Sequence, residues 1–573
     1  MNSSEPKKNI VNIGSIKMGL LEPLILQSMT STSTMDIDAT VEQCIRIADA
    51  GAHLVRITAR DTREAQALGQ IKNELKKRGY NIPLSADIHF NPKAADVAAQ
   101  LVEKVRINPG NYIDKKSGRT SWSKEEYHLE LDKIKERLSG LVEICKTHKT
   151  AIRVGVNHGS LSERIINKYG NTAEGMAESA MEFIRIFKAL DFNQLVISLK
   201  ASNVLVMVKA NELFKQKMEE ENLSFPLHLG VTEAGDAEDG RIKSAVGIGC
   251  LLSQGIGETI RVSLTEEPEY EIPVAIEIAK ASKENPWKHQ DEQTSYARRK
   301  SVKVLNFGAQ QVPAVIGNSD LKSDTILEAD YYFEDDIWVS KDYNTHIQQL
   351  SLEQLKNDHF SKDQNYFLNL KASEWNTEFA KLVSPINHLI LVLEKTDECD
   401  IADTHKAIHS INELRINLPI ILKLRNHEKS ENKLMIQSAV IAGPFFLKGQ
   451  LDGLWIDSPN FNTNEISLGI LQASRQRVSK TEYIACPSCG RTLFNIQEKL
   501  QDIKKKTTAF KGLKIAVMGC IVNGLGEMAD ADFGYVGAGR GKVNIYKKHD
   551  LIQKNVPEDE AADALLEIIE KSL

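Results

Sequence analysis

No run of apolar residues among the 573 positions approaches the ~18 needed to cross a bilayer. Met1–Asn9 has neither the apolar core of a secretory leader nor the Arg-rich length of a transit peptide. A cytoplasmic chain without a membrane partner is the expectation. Cysteine is scarce, seven in all, which excludes a disulfide scaffold and fits a reducing compartment. The segment after the first strand-like run, Met29-Thr-Ser-Thr32, is not a glycine-rich dinucleotide turn, and Gly247-Ile-Gly249 and Gly255-Ile-Gly257 lack the spacing of one. No flavin or nicotinamide site is therefore expected, and no nucleic-acid partner.

What is present in the first half is alternation. Eight β-rich runs, each followed by a helix-like stretch, cover 24–29, 53–58, 83–89, 104–108, 151–157, 194–200, 226–232 and 259–264. Their number and length predict an eight-fold parallel (β/α)8 barrel of the TIM type, an α/β fold, over residues 1–284. An open doubly wound sheet is the alternative, disfavoured by the missing dinucleotide turn.

Strand parity then assigns the interior, because residues two apart share a face and charged ones cannot face the apolar helix layer. The inward sets are Arg56 with Thr58, Asp87 with His89, Arg106 with Asn108, Arg153 with Gly155 and Asn157, Ser198 with Lys200 and Ser202, and Arg261 with Ser263. Each lies at the C-terminal end of its strand, where barrel enzymes build their sites. Five cations, Arg56, Arg106, Arg153, Lys200 and Arg261, converge on that mouth and call for anionic company; a diphosphate suits them. Salt bridges to loop carboxylates are the alternative. Asp87 and His89 could form a polarised pair or a structural one. Glu233, just past the seventh run, is the best-placed general acid, and the surrounding cations should favour its ionised form unless substrate alters the balance.

Near the C-terminus, Cys486-Pro-Ser-Cys489, Cys520 and Glu527 read as a thiolate cage short of one cysteine. Such a set can hold an iron–sulfur cluster with one iron open to chemistry, and Glu527 is the nearest candidate for an oxygen ligand. A structural zinc or a disulfide would use the same C-x-x-C. Cys44, Cys145, Cys250 and Cys399 are scattered, the first three in helix-like patterns that suit buried, inert thiols. Residues 481–573 predict a small α+β domain: the C-x-x-C loop, a helix over 493–506, a strand at 513–518 leading to Cys520, strands at 533–536 and 542–546, and a closing helix from Pro557. Residues 285–480 predict a further α/β unit, or a decayed barrel, with strands near 388–393, 418–423 and 454–457, structural rather than catalytic in role.

Taken in order, Gln27-Ser-Met-Thr30, Ala86-Asp-Ile-His-Phe90, Val105-Arg-Ile-Asn-Pro-Gly-Asn111, Gly155-Val-Asn157, Lys200-Ala-Ser202, Leu227-His-Leu-Gly230, Thr232-Glu-Ala-Gly235 and Ala485-Cys-Pro-Ser-Cys489 resemble the 4-hydroxy-3-methylbut-2-enyl diphosphate synthase family. The resemblance implies reductive ring opening of 2-C-methyl-D-erythritol 2,4-cyclodiphosphate to (E)-4-hydroxy-3-methylbut-2-enyl diphosphate and water, in the non-mevalonate isoprenoid pathway. It implies a [4Fe-4S] cluster on Cys486, Cys489, Cys520 and Glu527, a proton role for Glu233, and the inward barrel residues as the substrate site. It also implies a ferredoxin or flavodoxin as electron donor and a homodimer; 285–480 resembles the insert of the family's long forms, and an insert of that size could change which barrel the cluster domain meets. Lys504–Lys506 and Lys547-Lys548 are candidate docking residues for an acidic donor, or simply solvated faces. Leu525 departs from the family's proline in the turn before Glu527, which should loosen that turn. Two other classes would use the cysteines: a zinc-assisted phosphoester hydrolase and a non-enzymatic cluster-based sensor.

Overall fold

The computed structural model describes residues 9–19, 23–113, 118–119, 121–287, 296–318, 327–340, 345–396, 400–521, 526–528 and 530–573. Cys399 and the turn residues Asn523, Gly524 and Leu525 fall outside them. The chain forms two compact units: Met1–Ser244 with Ile256–Ile276 and Lys480–Leu573, and Ala245–Gly255 with Glu277–Ser479.

In the first unit a hairpin, β1 (Val11–Ile13) and β2 (Ile16–Met18), precedes eight parallel strands: β3 (Ile25–Met29), β4 (Leu54–Thr58), β5 (Leu84–Asp87), β6 (Lys104–Ile107), β7 (Ala151–Asn157), β8 (Leu195–Lys200), β9 (His228–Leu229) and β10 (Thr259–Ile260). They order as β8-β7-β6-β5-β4-β3-β10-β9, and a parallel bridge from Ile197 to Leu227 closes the ring. Every residue of these strands is buried, as helices outside and side chains inside require. The hairpin was not read from the sequence; Val11, Ile13 and Met18 pack against Ile25, Leu54, Ala151 and Val196 and seal the barrel floor. The expected runs at 226–232 and 259–264 shrink to two-residue strands because the chain then leaves the ladder. Glu233 there takes φ +48°, a left-handed conformation costly for a side-chain-bearing residue and common at functional sites.

The same unit carries a five-stranded sheet: β19 (Glu482–Ala485), β20 (Lys514–Met518), β21 (Phe533–Gly539), β22 (Lys542–Lys547) and β23 (Asp550–Pro557), in that order. The first three are parallel and the last two antiparallel. Helices Ile496–Thr507 and Ala561–Glu570 cover its core of Leu500, Ile515, Val517, Tyr535, Ile545 and Leu565. β23 was missed because Asp-Leu-Ile-Gln-Lys-Asn-Val-Pro is an exposed edge with no apolar alternation.

The second unit contains a closed barrel: β11 (Ala314–Asn318), β12 (Tyr331–Glu334), β13 (Ile337–Ser340), β14 (Thr345–Gln349), β15 (Tyr366–Lys371), β16 (Leu389–Lys395), β17 (Ile420–Arg425) and β18 (Gly453–Asp457). β13 runs antiparallel to both β12 and β14, and the other pairs are parallel. Phe307, Tyr331, Trp338, Phe367 and Trp455 fill its interior, Trp338 stacked on Phe367 with centroids 4.1 Å apart. Its buried Lys423 is neutralised by Asp457 Oδ2 at 3.2 Å and Glu394 Oε1 at 3.7 Å. Among the described residues this interior is filled by aromatic rings and its buried lysine is charge-balanced. Trp338→Ala should cost roughly 3–5 kcal/mol of unfolding free energy, read as a lowered denaturant midpoint, because the closed ring cannot collapse onto the void.

Candidate functional site

All six inward sets occupy the C-terminal end of the first barrel, and their charged members are buried. Two alternatives raised by the sequence both occur. Asp87 Oδ1 accepts from Arg56 Nη2 and, at 3.3 Å, from Arg106 Nη1; Arg106 Nη2 also donates to the Gly155 carbonyl at 2.9 Å. Gly155 stands there because a Cβ would lie 2.4 Å from Arg106 Nε. Arg261 forks onto Glu271, Nη2 to Oε1 at 3.0 Å and Nε to Oε2 at 3.2 Å. Three of the five expected free cations are thus already paired.

Arg153 and Lys200 remain. Neither forms an ion pair among the described residues, and Arg153 Nε and Nη1 are buried with no hydrogen-bond partner. Burial, then the neighbouring arginines, pushes both well below their ordinary pKa ranges. Lys200 Nζ occupies space left by Gly230, where a Cβ would approach it to 2.6 Å. A seventh buried polar layer lies beneath: Lys104 faces Gln27 Oε1 at 3.5 Å, and Gln27 bonds His228 and Thr259. Lys104 was missed, although it precedes Arg106 by two residues and parity places it on the same inner face.

Asp87 does not polarise His89 into a cation. Burial, with Arg491 and Arg106 close by, drives the imidazole pKa down to about 3, and Arg106 Nη1 approaches Nε2 at 2.8 Å. The ring is neutral at ordinary pH. Asn108 Oδ1 caps the next turn by accepting from Gly110 N at 3.2 Å, while its amide donates to Ser160 Oγ at 2.9 Å, so both ends serve the loop. Ser202 and Ser263 are buried in the mouth. Glu233 departs from expectation: burial raises its pKa despite Lys200 and Arg261. Glu527 lies against it and is raised further, by burial and then by the Glu233 charge, while Thr232 Oγ1 donates to Glu527 Oε2 at 3.1 Å and Asn157 also bonds the carboxyl. Two such carboxyls cannot both ionise cheaply and share a proton.

Glu527 arrives from the C-terminal sheet domain, which caps the mouth of its own barrel. A parallel bridge pairs Ala234, next to Glu233, with Ala485, next to Cys486. Thr265 Oγ1 donates to the Cys486 carbonyl at 3.2 Å. Lys504 and Gln501 bind Asp236, Lys243 binds Glu482 at 3.2 Å, and Lys480 binds Asp239 at 2.6 Å. Lys504 is therefore a seam residue rather than part of a docking face, and Lys506 pairs with Asp563. Lys547 pairs in register with Phe533, itself level with Ile515, so the Lys547-Lys548 turn lies at the opposite end of the sheet from Met518 and Cys520. At the seam two glycine backbones meet: a Cβ on Gly526 would fall 1.7 Å from the Gly159 carbonyl oxygen, and one on Gly159 would fall 2.2 Å from the Gly526 carbonyl carbon.

Cys486, Cys489 and Cys520 are half-buried at this seam. Burial raises the Cys486 thiol, and the charges of Cys489, Glu233 and Cys520 add to it, which puts the sulfurs and the carboxyl in one neighbourhood. Among the described residues no three His, Cys, Asp or Glu side chains close on a single-ion site. Apart from the proton shared with Glu233, Glu527 Oε1 is buried without a hydrogen-bond partner, an oxygen donor open to a larger polynuclear group once Glu233 holds that proton. Cys44 and Cys145, by contrast, are buried thiols raised to about 12, inert as expected; Cys250 is also buried.

An eight-fold α/β barrel with a cation-lined mouth under a cysteine-bearing cap is the architecture of a barrel enzyme. The GcpE TIM-barrel domain matches residues 8–276, and the GcpE protein C-terminal domain matches residues 482–571. The chain is 43% identical over 607 residues to 4-hydroxy-3-methylbut-2-en-1-yl diphosphate synthase (flavodoxin) of Phocaeicola vulgatus, covering 99% of this chain and 98% of that one. The Porphyromonas gingivalis relative of the same name is 42% identical, covering 99% and 97%, and the Leptospira interrogans one 39%, covering 98% and 96%. The chain belongs to the 4-hydroxy-3-methylbut-2-en-1-yl diphosphate synthase family. Gly159→Ala and Gly526→Ala should each unseat the cap, seen as an increased radius of gyration in small-angle scattering with unchanged circular dichroism.

Proposed function

We propose that this chain opens 2-C-methyl-D-erythritol 2,4-cyclodiphosphate reductively to (E)-4-hydroxy-3-methylbut-2-enyl diphosphate, taking up two electrons and releasing water. The observation that carries the reading is the pair of buried cations, Arg153 and Lys200, that form no ion pair among the described residues and lie under a cysteine-bearing cap. A diphosphate supplies the missing negative charge, and the planar guanidinium donates two N–H bonds to its oxygens where Lys200 acts as a point charge. Arg56, Arg106 and Arg261 are held in place by Asp87 and Glu271 and turn their remaining N–H groups and charge toward the same guest. His89, Asn157, Ser202 and Ser263 complete the polar wall, the neutral imidazole accepting from Arg106.

Cys486, Cys489, Cys520 and Glu527 suit a [4Fe-4S] cluster, which when bound would supply the two electrons singly and a Lewis-acidic iron. Glu527 Oε1, which has no partner beyond the proton shared with Glu233, supports that ligand set. With Glu527 committed as an anionic ligand, the proton of the carboxyl pair rests on Glu233, whose burial already favours the neutral acid. Glu233 then donates that proton to the oxygen that leaves carbon. The seam from Asp236 to Gly526 excludes water from the reacting bond. Electrons come from a one-electron carrier of the flavodoxin kind. The cap seats on its own barrel, so no step requires a residue from a second chain.

The test is anaerobic turnover of the cyclodiphosphate by the cluster-reconstituted chain with a chemical one-electron reductant, with Cys520→Ser alongside. Product from the parent chain alone is expected. A chain that holds its cluster yet makes no product would overturn the substrate assignment.

A further inference from the structure

Arg491 stands two residues past Cys489 in the cap and reaches into the barrel. Its Nη1 and Nη2 each donate to Asp87 Oδ2 at 3.1 Å, and Nη2 also donates to the Asp87 carbonyl oxygen at 3.1 Å. The same Nη1 faces Cys489 Sγ at 3.9 Å. Both side chains are buried, at 7% and 1% exposure, so water cannot stand in for either partner.

Asp87 Oδ1 is already taken by Arg56 and Arg106. One carboxylate therefore gathers two guanidiniums from the barrel and a third from the cap. A free third guanidinium would be repelled from so cationic a mouth, and only the open face of Asp87 makes its position favourable. Cys489 is fixed further by its neighbours: its N–H bonds Thr492 Oγ1 at 3.0 Å, and Gly490 sits so close to the barrel that a Cβ would fall 2.9 Å from the Thr32 carbonyl oxygen. The seam pairs at Asp236, Glu482 and Asp239 hold the body of the cap, whereas Arg491 spans from a barrel carboxylate to a cysteine sulfur.

We propose that Arg491 is a positioning residue that sets the Cys489 sulfur over the arginine-lined mouth and donates to it. This deepens the reading given above and rests on it. A donor and a positive charge beside a ligand sulfur favour the more negative, reduced form of a cluster and so raise its reduction potential. Removing them acts on the assembled reaction step rather than on diphosphate capture, which belongs to Arg153 and Lys200.

The experiment compares full-length, cluster-reconstituted parent chain with Arg491→Gln and Arg491→Lys, after visible absorption and thermal melting have confirmed cluster and fold. Arg491→Gln should lower kcat about 10- to 100-fold while KM, and the affinity for inorganic diphosphate, stay within about threefold. Its cluster midpoint potential, followed by electron paramagnetic resonance during reductive titration, should fall, and Arg491→Lys should recover most of that fall because it keeps the charge. An unchanged potential in Arg491→Gln would overturn the proposal even if kcat dropped, since a simple packing tie would do the same. If Arg491→Gln does not fold, the Lys variant decides: a potential near the parent value with a kcat loss from the missing fork supports the proposal, and parent-like kcat overturns it. A parent chain that holds its cluster without turning over the cyclodiphosphate would defeat the functional reading, while the potential shift would still judge Arg491.

Discussion

Arg153 and Lys200 are buried in a barrel whose carboxylates are committed elsewhere, and this imbalance of charge organises the rest of the first unit. Asp87 is spent on three guanidiniums and Glu271 on one. Glu233 and Glu527, the carboxyl pair where barrel and cap meet, are pushed by burial toward their neutral forms. Buried charge without a partner is strongly unfavourable, and on the proposed reading an anionic guest relieves it. The second barrel shows the contrasting solution: its buried Lys423 is matched by Asp457 and Glu394, and aromatic rings fill what would be a pocket.

The cap follows from the same imbalance. Its approach to a cationic mouth is made favourable by Asp87, which binds Arg491, and by Asp236, which binds Lys504 and Gln501. Where no side chain fits, at Gly159 against Gly526, backbone meets backbone. That contact brings Glu527 onto Thr232 and beside Glu233, joining the acid of the barrel to the oxygen donor of the cap. Cap seating and the meeting of the two carboxyls are in this way parts of one packing arrangement.

Much of this was legible in the residues. Parity placed Arg56, Arg106, Arg153, Lys200 and Arg261 inside because a strand leaves a charged side chain only two faces, and the eight-fold repeat set the barrel. The ion pairs were not legible. Glu271 lies on a helix with nothing local to mark it as the partner of Arg261, and Asp87 shows one side chain in sequence but three arginines in space. Arg491 beside the C-x-x-C loop reads as an ordinary surface residue until the cap is seated. The raised Glu233 was misjudged because the cations converging on the barrel mouth were expected to govern it, whereas burial does. β23 and the floor-sealing hairpin carry too little apolar pattern to announce themselves.

The most direct measurement is thermal melting of the cluster-free chain, with and without inorganic diphosphate, for the parent and for Lys200→Met. If uncompensated buried charge is the governing constraint, diphosphate at a hundred times its dissociation constant raises the parent melting temperature by roughly 3–4 °C. Lys200→Met then melts higher than the parent without ligand and gains little from it. A parent indifferent to diphosphate, or a Lys200→Met chain less stable than the parent, would contradict the account.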